Sequence, residues 1–118
     1  TKGSEGFNTT GSDLEINAFK NIIEWVNGKR KAYTDKTSNI EIKADWATGN
    51  VAMTGLSWAG TTTFGVAGTG VEGLKTIVPA AWIASWYDYF NSQGTAYGNP
   101  PYSDLSWLSL YVGTLILD

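Results

Sequence analysis

Six residues, Gly55-Leu56-Ser57-Trp58-Ala59-Gly60, restrict the folds open to this chain more than any other segment. They follow a short apolar run, Val51-Ala52-Met53-Thr54, and precede small, helix-compatible residues that reach Gly70. That order predicts a strand, a tight turn and a helix. Small residues flank the serine because such a turn brings two backbones together, and glycine has no Cβ to obstruct them. Residues 51–53 are apolar in succession, the pattern of a parallel strand buried on both faces.

Past Gly70–Gly73 a second run, Leu74-Lys75-Thr76-Ile77-Val78, reads as another strand, ended by Pro79. Strand, helix, strand within about thirty residues is a βαβ unit, and its crossover is expected to be right-handed. The helix between the strands holds Gly65, Gly68 and Thr61 to Thr63. Its propensity is poor, but its small face allows very close packing on a sheet. Before this unit, Ser12 and Glu15 are spaced as a capping box. Ile16, Phe19, Ile23 and Val26 then recur at helical spacing until Asn27-Gly28 supplies a stop. Ile40, Ile42 and Ala44 alternate with Glu41 and Lys43, as in a short edge strand. Ala80 to Phe90 is an aromatic helical segment, and Gly94 to Pro101 a loop. Ser103 could cap a last helix, or 108–117 could be a strand. The fold class is therefore α/β.

Two strands and two helices cannot cover both faces of a parallel sheet. The chain is expected to be part of something larger, and its ends at Thr1 and Asp118 read as cut. Alone, it is expected to be poorly stable or associated, because it would expose sheet edge and apolar helix faces.

The strand–turn–helix context is the one that pushes a serine hydroxyl out at the top of a sheet as a nucleophile. The usual spacing is G-x-S-x-G. Here Ala59 stands two after the serine and the glycine comes at Gly60. The competing reading makes Ser57 an ordinary helix N-cap. The chain contains no histidine, so it offers a nucleophile without an obvious base.

Bulk properties narrow the alternatives. The 118 residues suffice for one domain at most, and a net charge of −3 gives no electrostatic reason to bind nucleic acid or an anionic membrane. The longest basic run, Lys29-Arg30-Lys31, reads as a solvated helix end. Without cysteine there are no disulfides and no thiolate metal sites, which fits a cytoplasmic location. No segment is long and apolar enough to span a bilayer, and the first residues do not read as a signal peptide.

Three segments carry a family resemblance: Asn50 to Thr61, Thr69 to Pro79, and Ala84-Ser85-Trp86-Tyr87-Asp88-Tyr89-Phe90. Together with Ser4-Glu5-Gly6-Phe7, they resemble the X-prolyl dipeptidyl aminopeptidases of lactic acid bacteria and their relatives. Ser-Trp-Tyr-Asp-Tyr is the most specific part. The serine turn and the Gly-Val-x-Gly-Leu-Lys segment are shared with cocaine-esterase-like and acylase-like α/β-hydrolases.

The resemblance implies a partial α/β-hydrolase fold, with residues 1–80 in the catalytic core and 81–118 beginning a helical cap. It implies a serine exopeptidase acting through an acyl-enzyme, with no cofactor. The substrate would be a peptide with proline at its second position, and the partner would be the remainder of the hydrolase chain; a homodimer is compatible with this. Ser57 would be the nucleophile and the Trp58 backbone N–H one oxyanion donor. The family usually has tyrosine where Trp58 stands, which changes the side chain and leaves the N–H. Trp86 and Tyr89 match positions that line the proline subsite; as a pair three apart on a helix, they could equally be cap packing. Asp104 lies near the position of an acidic residue for the substrate ammonium, or is a helix-terminal charge favoured by the dipole. Glu5 and Asp88 read as structural hydrogen-bonders. The triad acid and histidine would follow Asp118, so residues 1–118 alone would be inactive. An esterase or acylase, or a non-catalytic module, are the competing readings.

Overall fold

The first element of the computed structural model, which describes Thr9, residues 11–91, Gly94, Gly98–Asn99 and Tyr102–Ser103, is helix α1, Asp13–Val26. Ser12 takes the N-cap position with extended backbone, but its side chain makes no capping bond. The Glu15 carboxylate accepts the N–H of Gly11 at 2.6 Å. The expected reciprocal box is therefore replaced by a single contact that reaches one residue further back. Gly11 permits it by adopting φ 79°, which brings its N–H over the first turn.

The C-terminus of α1 closes as the Asn-Gly pair predicts. Gly28 at φ 77° donates to the Trp25 carbonyl at 3.0 Å, and Lys29 donates to the Glu24 carbonyl at 2.7 Å. This pair of bonds is a Schellman closure. The basic triplet that follows is an ion-paired surface: Lys29 meets Glu72 at 3.7 Å, Arg30 meets Glu24 at 2.9 Å and Lys31 meets Glu41 at 3.6 Å.

A small antiparallel hairpin comes next, β1 (Ala32–Tyr33) with β2 (Glu41–Ile42). The strand expected over 40–44 is thus shorter, and its partner β1 carries no alternation that would have marked it. The Trp25 indole N–H donates to the Ile42 carbonyl at 2.9 Å and ties the hairpin to α1. In its connecting turn, Asp35 takes bonds from the backbone N–H groups of Thr37 and Ser38 at 2.8 and 2.7 Å. The Ser38 side chain, with these N–H groups, holds the Asp35 carboxyl well below the usual carboxylate range.

The βαβ unit follows as β3 (Val51–Leu56), α2 (Trp58–Gly68) and β4 (Leu74–Ala80). The strands pair in parallel, Ala52 with Thr76 through Leu56 with Ala80. Both run two residues further than their apolar runs suggest. Pro79 lies inside β4, opposite Gly55. Ala80 turns its carbonyl toward β3, so Pro79, one residue earlier, turns its donorless nitrogen away from the ladder, where none is needed. An irregularity between Val51 and Ala52 leaves Lys75 without a partner. For that reason Lys75 and Thr76 both face out, and the alternation resumes with Ile77 inward.

Burial on both faces of the sheet is not seen among the described residues. Val51, Met53 and Gly55 face inward, while Leu56 is 69% and Val78 64% exposed. Only the face toward α2 is covered, because this stretch supplies a single layer of helices. There Ile23 of α1, Val66 of α2 and Val71 form the buried core, packed by Ile16, Val51, Met53 and Leu74.

Asn27 joins this unit at the end where both strands begin. Its amide donates to the Gly49 carbonyl at 2.9 Å, and a Cβ on Gly73 would come within 2.9 Å of its side chain. Asn27 therefore clamps the two loops that feed β3 and β4. Asn27→Ala is expected to lower the unfolding free energy by about 1–2 kcal/mol. Asn27→Asp is expected to cost more, since a carboxylate faces the Gly49 carbonyl with no donor. Urea denaturation of the three proteins side by side checks the order.

The described residues fall into two compact units, one between Gly11 and Trp82 and the other made of Thr9 and the described residues from Ile83 onward. In the second, α3 spans only Trp86–Asn91. The helix expected from Ala80 starts six residues late because Ala80 is still in the sheet and Ala81 adopts φ 48°. Ser85 then caps it, its hydroxyl accepting the Asp88 N–H at 3.2 Å. Gly98–Asn99 (β5) pairs with Tyr102–Ser103 (β6) in a short hairpin. Ser103, read as a helix cap, is a strand residue paired with Gly98; the segment beyond it lies outside the described residues.

Candidate active site at the strand-to-helix corner

β3 ends at Leu56 and α2 begins at Trp58, so the whole change of direction falls on Ser57. Its backbone sits at φ 59° and ψ −119°. A non-glycine residue held in so sparsely populated a region costs about 1–3 kcal/mol and persists only where its surroundings over-determine it. Hydrogen bonds anchor the peptides on both sides. The Ser57 N–H donates to the Ala80 carbonyl at 2.9 Å. The Ser57 carbonyl accepts the Thr61 N–H at 2.9 Å and the Thr61 hydroxyl at 3.2 Å.

Two glycines make the corner sterically feasible. A Cβ on Gly55 would overlap the Ala59 carbonyl group, and one on Gly60 would lie 2.6 Å from the Ala80 carbonyl oxygen. Gly60 is buried, whereas Ala59 is exposed. The glycine is needed three residues after the serine rather than two, so the unusual G-x-S-x-x-G spacing meets the steric demand of the turn.

The Ser57 side chain is exposed and makes no capping bond with α2. An N-cap serine uses its oxygen on the helix N–H groups; this one does not. Trp58 carries the first N–H of α2, at the end where the helix dipole favours developing negative charge. Just past β4, Trp82 stacks on Phe64 of α2 with ring centroids 4.4 Å apart and planes 10° apart.

Trp86 and Tyr89 belong to the second unit. Their rings meet edge to face, with centroids 6.2 Å apart, across one turn of α3. Asp88, beside them, gives its backbone N–H to the helix cap. Glu5 and Asp104 lie outside the described residues. The residues around Ser57 that sequence reading passed over are Ala80, which holds its N–H, and Thr61, which holds its carbonyl. Thr61 had a legible signal: a hydroxyl four residues after the serine can bond back to its carbonyl. Ala80 had none, because its role comes from strand pairing.

The fold and site thus define a class: an α/β chain that presents a serine hydroxyl on a sharp, hydrogen-bonded corner between a parallel strand and a helix. Residues 1–112 match the X-Pro dipeptidyl-peptidase (S15) family, and the chain belongs to it. A Bacillus anthracis protein provisionally named as an Xaa-Pro dipeptidyl-peptidase is 57% identical over 94 residues, 80% of this chain. The Xaa-Pro dipeptidyl-peptidase of Streptococcus pneumoniae strain Hungary19A-6 is 47% identical over 111 residues, 92% of this chain, as is that of serotype 19F strain G54. The chain spans about 15% of the length of these curated relatives. No helix among the described residues is long and apolar enough to cross a membrane.

Proposed function

We propose that Ser57 is the nucleophile of a serine exopeptidase that releases X-Pro dipeptides, and that this chain is its nucleophile-bearing part. The observation that carries the reading is an exposed Ser57, its hydroxyl not used as a helix cap, on a positive-φ corner that two close-packed glycines make possible. The substrate class comes from the names of the relatives.

In this reading Ser57 Oγ attacks the carbonyl of the proline residue while its proton passes to a base. The carbonyl oxygen becomes an oxyanion facing the Trp58 N–H. Collapse of that intermediate expels the amine of the remaining peptide, protonated by the same base, and leaves the dipeptide esterified to Ser57. Water then hydrolyses the ester. With no histidine in these 118 residues, the base and its acidic partner come from the rest of the polypeptide. Residues 1–80 form part of an α/β-hydrolase core and 81–118 open its cap. Trp86 and Tyr89 offer flat aromatic walls to the pyrrolidine ring, which has no N–H to satisfy. Asp104 would take the substrate ammonium.

Paired assays on the longer polypeptide that carries this chain test the reading. An X-Pro arylamide and a simple aryl ester are compared at equal concentration. Turnover of the amide with strong preference for proline at the second position is expected. Ester turnover without amide turnover would assign the protein to the esterase and acylase group instead.

A further inference from the structure

The Ser57–Trp58 peptide is one rigid plane, because amide resonance keeps it flat. Its carbonyl and its N–H point in opposite directions within that plane. Whatever holds the Ser57 carbonyl therefore aims the Trp58 N–H. Both donors on that carbonyl come from Thr61, its N–H at 2.9 Å and its hydroxyl at 3.2 Å. The first is the opening bond of the helix and needs no particular side chain. The second depends on a hydroxyl at position 61.

We infer that Thr61 is a positioning residue: its hydroxyl fixes the tilt of the Ser57–Trp58 peptide and so directs the Trp58 N–H at the oxyanion. The inference rests on the reading of Ser57 as nucleophile and the Trp58 N–H as donor.

A second threonine in the same helix shows why the bond at position 61 is informative. Thr62 also bonds back, its hydroxyl donating to the Trp58 carbonyl at 3.2 Å. Thr62 is only 3% exposed, so burial alone obliges its hydroxyl to find a partner. Thr61 is partly exposed, and water could serve it. Its bond to Ser57 is thus not forced by desolvation. It also falls on the one carbonyl whose direction matters, since the ψ of Ser57 lies outside the common basins. With the Ser57 N–H tied to Ala80, the Thr61 hydroxyl completes the restraint on the other side. An oxyanion donor acts through its preorganised direction, so a small tilt weakens it in the transition state while ground-state binding is kept.

The test uses the longer polypeptide with Thr61→Val, which keeps the shape and removes the hydroxyl, and Thr61→Ser, which keeps the hydroxyl. Three quantities are measured: kcat on an X-Pro arylamide, Ki for an X-Pro boronic acid whose tetrahedral adduct on serine carries the oxyanion, and Ki for the product dipeptide, which carries none. Thr61→Val is expected to lower kcat about tenfold, a fraction of the ~10²–10³ lost with a whole donor. The boronate Ki rises by a similar factor, the dipeptide Ki stays within about twofold, and Thr61→Ser restores both altered values. Thr61→Ala gives the same reading if valine impairs folding. Wild-type kcat and boronate Ki in Thr61→Val, or equal losses in Thr61→Ser, would overturn the inference. Turnover that survives Ser57→Ala would instead sink the nucleophile reading beneath it.

Discussion

Ser57→Ala in the longer polypeptide is expected to abolish X-Pro hydrolysis, with kcat falling by about 10⁶, the loss seen when a serine nucleophile is removed from an intact site. Folding should be unchanged. Alanine meets the same backbone strain as serine at φ 59°, and the Ser57 hydroxyl makes no capping bond that would be lost. The bonds that hold the corner run through backbone atoms of residue 57 and survive the change. Product-dipeptide affinity should persist as well, because attack comes after binding. Steady-state kinetics, with equilibrium binding of the dipeptide, check both parts. Residues 1–118 alone should show no turnover even with Ser57 present, since they contain no histidine to take its proton.

The other large effect is steric. Gly55→Ala is expected to destabilise the fold by about 3 kcal/mol or to prevent it forming, the upper end of what overpacking costs. A Cβ there would overlap the Ala59 carbonyl group and come within 2.8 Å of the Gly60 nitrogen. These neighbours are backbone, and no side-chain rotation can relieve the clash. Gly60→Ala should behave similarly, with its Cβ 2.6 Å from the Ala80 oxygen and 3.0 Å from that of Gly55. Gly65→Ala provides the contrast. Its Cβ would meet the end of the Ile16 side chain at 2.7 Å, and a side-chain end can move. Denaturant midpoints for the three variants should therefore place Gly65→Ala well above the other two. Equal stability of Gly55→Ala and wild type would mean that the corner does not have this geometry.

Much of the fold was legible because its signals are local. The apolar spacing of Ile16, Phe19, Ile23 and Val26 marked α1, and Asn27-Gly28 marked its end to the residue. The strand–serine–helix order placed β3, the corner and α2 correctly, since small residues and an apolar run are read directly from the chain. The failures were of a different kind. The Glu15 carboxylate passed over Ser12 for Gly11, a choice between adjacent N–H groups that depends on the φ of a glycine. Pro79 seemed to end β4 but lies within it, because only pairing with β3 shows which edge its nitrogen faces. The aromatic segment from Ala80 seemed helical throughout, yet the sheet retains Ala80 and the helix waits for Ser85.

The candidate site divides along the same line. Sequence order by itself determined that Ser57 follows a strand and opens a helix, that Gly55, Ala59 and Gly60 lie two and three positions from it, and that no histidine accompanies it within these residues. Only the tertiary structure decided that the glycine is required at position 60 rather than 59, and that the serine is pinned by Ala80 on one side and Thr61 on the other. The reason is physical: the separation of β4 and α2 at the corner is set by packing between segments distant in the chain, and no local pattern encodes that distance.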